Sequence, residues 1–308
     1  MKIHLDTDFG GDTDDSCALA MLLGWPEVEI VGITTSADRD GLRAAYVHHV
    51  LRLVGRDDVP VEAGAAASLT TLEVADPVID DARHWSKDIR PTPSRPGAAF
   101  NLLTESIDAG AAVVAIGPYT NLAMLEIVAP GSIREVPITV MGGWIAPPED
   151  GLPKWGPGMD FNVQWDTRAA AILFERALML TMVPLSPTLK AHIRGSDLER
   201  LYTSGALGSL LARQSEAHGA EYGMATLGRV HPGLPDDLLN FQYDPVACAV
   251  ALGWEGAEVT EMILRPEWEG ASLWFQPGQG GRRTRVVTDL DGDRFSNLWI
   301  ESIEAAQR

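Results

Sequence analysis

Strand-like and helix-like segments alternate along most of this chain. Apolar, β-branched runs at 28–35, 111–116, 136–141 and 179–183 predict buried strands, and helical patterns follow three of them at 41–54, 121–128 and 167–177. Such alternation favours a mostly parallel sheet covered by helices on both faces. The predicted fold class is therefore α/β, and the absence of a linker favours one domain over 1–308. Two longer segments, 76–96 and 142–165, are predicted to be irregular loops.

Charge and cysteine content narrow the function classes. The 308 residues include 43 Asp plus Glu against 24 Lys plus Arg, a net charge of −19. A surface this acidic repels nucleic-acid backbones and anionic membranes, so neither is an expected partner. Cys17 and Cys248 both lie in apolar helical runs, which predicts buried free thiols in a reducing compartment. Because neither a leader pattern nor a membrane-length apolar run is seen, we expect a cytoplasmic protein.

Five aspartates fall within ten residues between the first predicted strand and helix, in the segment DTDFGGDTDD at 6–15. Like charges this close repel unless a cation is present or some are protonated, and the two glycines allow a tight turn. Oxygen donors without Cys or His favour calcium or magnesium. Helix capping by solvated turn residues is the simpler alternative, and aspartyl-phosphate chemistry is another, although Phe9 replaces the glycine expected there.

Several motifs, taken in order, resemble the nucleoside hydrolase family of the inosine–uridine-preferring type. They are DTDFGGDTDDSCALAMLL at 6–23, GITTSAD at 32–38, PVEAG at 60–64, GPYTNLA at 117–123, VMGG at 140–143, DFNVQWD at 160–166 and YDPVA at 243–247. The resemblance implies one α/β domain with tightly bound calcium and hydrolysis of the N-glycosidic bond of ribonucleosides. It also implies a homodimer or homotetramer.

The same resemblance implies roles for individual residues. Asp8, Asp15, Asp244 and the backbone carbonyl of Thr120 match the calcium ligands. Asp14 matches the base that takes a proton from calcium-bound water. Asp160 and Asn162 match the pair that holds ribose hydroxyls, and Met141 matches the residue on the sugar's face. These types suit an oxocarbenium-like transition state, which needs an oriented water and nearby negative charge.

One departure concerns the group that protonates the leaving base. The family usually has His before the last aspartate, whereas Tyr243 precedes Asp244 here. A tyrosine titrates near 10 and is a weaker proton donor at neutral pH. His231, twelve residues earlier, is a second candidate for this catalytic role, although a loop position is the simpler interpretation.

Aromatic and basic residues in the loops are candidates for substrate contacts. Trp85 falls where some purine-preferring members stack the base, and Trp144 and Trp155 are further candidates for the pocket wall. Arg39 is a candidate for binding an anionic group of the substrate. Two other functions stay open: a calcium-containing sugar- or nucleoside-binding paralogue without turnover, and a hydrolase of a modified pentoside.

Overall fold

A nine-stranded sheet forms the centre of the computed structural model, which describes residues 1–78 and 82–306. The strands in chain order are β1 Lys2–Thr7, β2 Glu29–Thr35, β3 Val61–Ala63, β4 Ala112–Ala115, β5 Ile138–Met141, β6 Leu180–Val183, β7 His192–Arg194, β8 Leu238–Phe241, β9 Ala257–Glu269, β10 Ser272–Pro277 and β11 Arg282–Leu290. The order across the large sheet is β10-β9-β11-β6-β5-β4-β1-β2-β3, and β7 pairs with β8 in a separate two-stranded sheet.

Helices connect and cover these strands. They are α1 Asp14–Gly24, α2 Leu42–Leu53, α3 Ala98–Asp108, α4 Thr120–Val128, α5 Phe161–Trp165, α6 Thr167–Arg176, α7 Leu185–Thr188, α8 Leu198–Thr203, α9 Gly205–Glu221, α10 Met224–Val230, α11 Tyr243–Ala251 and α12 Gly292–Ala306. Two carboxylates begin consecutive helices: Asp160 accepts a hydrogen bond from the Val163 amide at 3.2 Å, and Asp166 accepts one from the Ala169 amide at 3.1 Å. Side-chain caps of this kind satisfy amides that have no partner inside the helix.

The strands from β6 to β3 pair in parallel, and β11 joins β6 in the same direction. Every residue of β4, β5 and β6 is buried, as expected for strands covered on both faces. At one edge of the large sheet, β9 and β10 add antiparallel pairs. The predicted α/β class with a mostly parallel sheet is confirmed, whereas the extent of the single domain stays a prediction.

The structure differs from the sequence prediction in two places. The segment 142–165, predicted to be irregular, contains the short helix α5, which starts at the Asp160 cap. Strand β10 lies where no element was predicted, and it pairs in register with β9. In both places the element depends on a contact that the local apolar pattern does not indicate.

Helix α12 covers helix α1 on one face of the sheet. Trp299 is fully buried there, and its indole nitrogen donates to the Cys17 carbonyl at 3.1 Å. A side chain at Gly24 would meet the Ser302 carbonyl at 1.7 Å, so only glycine permits this approach. Cys17 and Cys248 are buried free thiols. Within the described parts of the chain, no helix has the length and apolar character needed to cross a membrane.

Candidate active site

The loops that follow the carboxyl ends of the parallel strands enclose a pocket of about 440 Å³. Open α/β sheets bind ligands at this position. Six carboxylates line it: Asp8, Asp12, Asp14, Asp15, Asp160 and Asp244. The acidic segment predicted from the sequence and the more distant Asp160 and Asp244 therefore meet in one place.

Three of these carboxylates form the tightest cluster. Asp14, Asp15 and Asp244 are buried, and one oxygen from each lies within 4.8 Å of the others. Asp14 and Asp15 occupy the first turn of α1, and Asp244 occupies the first turn of α11. Two helix N-termini therefore point their positive dipole ends at the same cluster, which favours negative charge there.

Burial raises the pKa of each carboxyl in this cluster. The pKa values of Asp14, Asp15 and Asp244 lie well above their ordinary range, because desolvation and mutual repulsion both oppose ionisation. Burial also raises the pKa of Asp8 to about 6, although the Arg43 guanidinium acts in the opposite direction. Several buried like charges therefore require either bound protons or a bound cation.

The donor set fits a hard divalent cation. Its ligand atoms are carboxylate oxygens, which calcium and magnesium prefer, and the three-residue cluster includes neither His nor Cys. Thr120 begins α4 and is buried, and its hydroxyl donates to Asp166 at 2.8 Å. Thr120 is not among the residues that line the pocket, so the ligand role of its carbonyl stays a prediction.

Asp160, Asn162 and Met141 line another part of the pocket and are held by the backbone. The Asn162 amide nitrogen donates to the carbonyls of Ile116 at 2.8 Å and Met141 at 3.1 Å. Asp160 accepts from the Gly143 amide at 2.6 Å, and burial raises its pKa to about 6. Backbone hydrogen bonds therefore hold Asp160 and Asn162, and the Met141 sulfur lies 3.5 Å from the Asn162 amide nitrogen.

Aromatic rings form another part of the pocket wall. Tyr243 lines the pocket, and burial together with nearby carboxylates raises the pKa of its phenol well above 10. Trp155, Phe161 and Tyr222 also line it, and Phe161 and Tyr222 are 52% and 62% exposed. Side chains of this kind offer flat apolar surface to a planar ligand.

Three predicted site residues lie elsewhere. Trp85 is buried against Tyr46, with ring centroids 4.2 Å apart, beside a separate cavity of about 500 Å³. His231 follows α10, and its Nδ1 lies 3.0 Å from the Leu227 carbonyl. Arg39 is exposed and does not line the pocket. Local contacts therefore hold Trp85 and His231 away from the acidic cluster, whereas Arg39 faces solvent.

The structure adds residues that the sequence analysis missed. Arg43 of α2 lines the pocket. It lies on the same helix face as the buried Val47 and Val50, and a charged residue on an apolar helix face is the sequence feature that could have indicated its role. Asn240 donates to Asp12 at 2.7 Å, and His218 Nδ1 lies 3.5 Å from the same oxygen. No local pattern marks either of these two, because they come from the distant β8 and α9.

The open parallel sheet and the acidic, aromatic-lined pocket at the ends of its strands define an α/β enzyme that acts on a small molecule. Residues 3–297 match the family described as inosine-uridine preferring nucleoside hydrolase. The chain belongs to this family. The predicted family and enzyme class, a ribonucleoside hydrolase, are thereby confirmed.

Curated relatives extend over the whole chain. The pyrimidine-specific ribonucleoside hydrolase RihA of Salmonella gallinarum is 32% identical over 319 residues, covering 99% of this chain and 98% of the relative. The enzyme of the same name from Salmonella typhi is also 32% identical, with the same coverage.

Solved structures share the fold. A plant nucleoside hydrolase, PpNRh1, has a TM-score of 0.78 and 24% identity, covering 98% of both chains. A purine-preferring ribonucleoside hydrolase from Gardnerella vaginalis has a TM-score of 0.80 and 22% identity, covering 100% of this chain and 99% of the other. At these identities the likeness concerns the fold alone.

Proposed function

We propose that this chain hydrolyses the N-glycosidic bond of pyrimidine ribonucleosides to free base and ribose, with calcium held in the acidic pocket. The observation that carries the proposal is the convergence of buried Asp14, Asp15 and Asp244 in the pocket that Asn162 also lines. The pyrimidine preference rests on the names of the 32% identical relatives.

Asp8, Asp15, Asp244 and the Thr120 carbonyl are the proposed ligands of the calcium ion. When bound, calcium supplies the positive charge that keeps the carboxylates ionised and orients hydroxyl groups and water. Asp14 then acts as the general base: its carboxylate takes a proton from the attacking water. Its place in the first turn of α1 suits this role, because the helix dipole stabilises its ionised form.

Asn162, Asp160 and Met141 are proposed to hold the sugar. Because the amide nitrogen of Asn162 donates to two backbone carbonyls, its own carbonyl oxygen is left to accept a hydrogen bond from a sugar hydroxyl. Asp160 places negative charge near the ring, where positive charge develops as the bond breaks. Met141 contributes apolar surface against the sugar's face.

Tyr243 is proposed to assist the leaving base as a hydrogen-bond donor. Because the pKa of its phenol is raised, Tyr243 keeps its proton at neutral pH and donates a hydrogen bond without full proton transfer. This arrangement suits a leaving group that needs little acid assistance. The same observation favours the two alternatives, a nucleoside-binding paralogue without turnover and a hydrolase of a modified pentoside.

Release of reducing sugar tests the proposal directly. Calcium-loaded protein is incubated with uridine, cytidine, inosine, adenosine and guanosine, with and without a chelator. We expect release from the pyrimidine nucleosides, loss of release with the chelator, and recovery when calcium is restored. Asp14→Asn should remove turnover, whereas Asp236→Asn, at an exposed position outside the pocket, should not.

Binding without release across the panel would favour the paralogue without turnover. Release from purine nucleosides alone would contradict the pyrimidine preference, and release that persists in the chelator would contradict the calcium role. Cytoplasmic location and assembly as a homodimer or homotetramer stay predictions.

A further inference from the structure

Arg43 places a nearly buried guanidinium behind the acidic cluster. Its Nη1 lies within hydrogen-bond distance of the backbone carbonyls of Asp8, Phe9 and Gly10, the last at 2.8 Å, and its two N–H groups are shared among them. Its Nε donates to the Ala37 carbonyl at 3.0 Å. One side chain therefore joins the turn after β1 to the turn after β2.

The turn that Arg43 binds leads directly to the acidic cluster. Gly10 and Gly11 have φ angles of +95° and +96°, a region that other residues rarely adopt. The chain then enters α1, where Asp14 and Asp15 occupy the first turn. A bend with this much glycine is intrinsically flexible, so its position depends on outside contacts such as those of Arg43.

Electrostatics alone does not explain a cation at this place. The Arg43 guanidinium lies 3.9 Å from the Asp8 carboxylate, and the same carboxylate is a proposed calcium ligand. A positive charge so close repels a second cation and weakens its binding. The four carbonyl contacts are therefore the feature that needs a functional explanation.

We propose that Arg43 is a positioning residue for the cation site, and that it acts by holding the turn through Asp8, Phe9 and Gly10 in place. This inference rests on the proposed cation site. If charge alone mattered, removal of the guanidinium would strengthen calcium binding, because a repulsive charge is lost. The inference predicts the opposite, that calcium binds more weakly once the guanidinium is removed.

Lysine is an informative replacement at this position. Arg43→Lys keeps the positive charge but has one nitrogen, so it cannot place one donor at the turn through Asp8, Phe9 and Gly10 and a second donor at the Ala37 carbonyl, as Nη1 and Nε of Arg43 do. Loss of a residue that orients metal ligands typically lowers metal affinity by roughly 10- to 100-fold. We therefore expect calcium to bind Arg43→Lys at least about tenfold more weakly. Arg52→Lys, at an exposed position on the same helix, is the matched control and should bind calcium as the unmodified protein does.

Titration calorimetry of the metal-free, full-length protein with calcium chloride measures these affinities without turnover. Circular dichroism in chelator checks that each variant is folded. Arg43→Ala is titrated alone, with methylguanidinium chloride, and with methylammonium chloride at equal ionic strength. We expect methylguanidinium to restore a substantial part of the calcium affinity and methylammonium to restore little.

Each result supports or overturns the inference. Unchanged or tighter calcium binding by Arg43→Ala would show that the carbonyl contacts do not hold the site, and equal rescue by the two cations would show that the geometry of the guanidinium is not needed; either result would overturn the inference. If Arg43→Ala does not fold, the affinity of Arg43→Lys decides alone. Failure of the unmodified protein to bind calcium would refute the cation site and this inference together, whereas normal binding in both it and Arg43→Lys would refute only the inference.

Discussion

Calcium binding should weaken as the pH falls from 8 to 5, and protons should leave the protein when calcium binds. The reason is that calcium binds ionised carboxylates, while burial raises the pKa of Asp8 to about 6 and also raises those of Asp14, Asp15 and Asp244 well above their ordinary range. With a pKa of about 6, Asp8 is almost fully ionised at pH 8 and roughly one-tenth ionised at pH 5. Asp8 alone therefore lowers the apparent affinity roughly tenfold, about 1.4 kcal/mol. The raised pKa values of Asp15 and Asp244, the other proposed carboxylate ligands, act in the same direction.

The same pKa shift has a consequence for stability. Without calcium, the fold favours neutral Asp8, so its contribution to the free energy of unfolding is fully present below the ordinary value of 3.8 and is lost as the pH rises through about 6. The stabilisation by calcium should therefore grow between pH 5 and pH 8. Burial also lowers the pKa of His4 to about 3. This shift affects the stability of the calcium-free and calcium-bound forms equally, so it cancels when the two stabilities are subtracted.

Calorimetry in two buffers with different ionisation enthalpies counts the protons released at each pH. Asp8→Asn should reduce this count and flatten the pH dependence in proportion. A calcium affinity that is constant from pH 5 to 8, with no protons released, would refute the reasoning. It would mean that the carboxylates are already ionised in the metal-free fold.

Other substitutions test packing and the pocket wall. Asp166→Ala removes an acceptor that serves Leu69, Thr70, Thr120 and Ala169, and it should lower the free energy of unfolding in urea by ~3 kcal/mol. Asp236→Ala, at an exposed position, is the control and should change it by less than ~0.5 kcal/mol. Trp299→Ala should lower it by about 3–5 kcal/mol in the same assay, because this fully buried ring joins α12 to α1. Trp85→Ala should lower the melting temperature in chelator but leave the KM for uridine within about twofold, since Trp85 packs on Tyr46 outside the pocket. Trp155→Ala should raise that KM, and an unchanged value would exclude its ring from the substrate wall.

The sequence pattern correctly predicted those elements whose own residues indicate their structure. The runs at 111–116 and 136–141 became β4 and β5 within two residues at each end, because strands covered on both faces are apolar throughout. The acidic segment could also be predicted from the sequence, because Asp8, Asp14 and Asp15 are close together in the chain as well as in the folded protein.

Residues whose positions depend on distant contacts were harder to predict. Tryptophan and arginine are residue types that suit a substrate pocket, but Trp85 packs against Tyr46 and Arg39 is exposed. Arg43, four residues after Arg39, lies in the pocket, because the helical period turns it toward the buried face. Asn240 of β8 reaches Asp12, in the turn before α1, only in the folded chain, because the two residues are 228 positions apart.

The cover of α1 by α12 also bears on how the chain is made. Asp14 and Asp15 are synthesised long before Asp244, which joins them from α11, and before Trp299, which packs on the helix that carries them. The acidic cluster can therefore be completed and covered only after α11 and α12 have been made. A translation product that stops before Gly292 leaves one face of α1 exposed to solvent. Such a fragment should be a substrate for chaperones and proteases rather than a partly active enzyme.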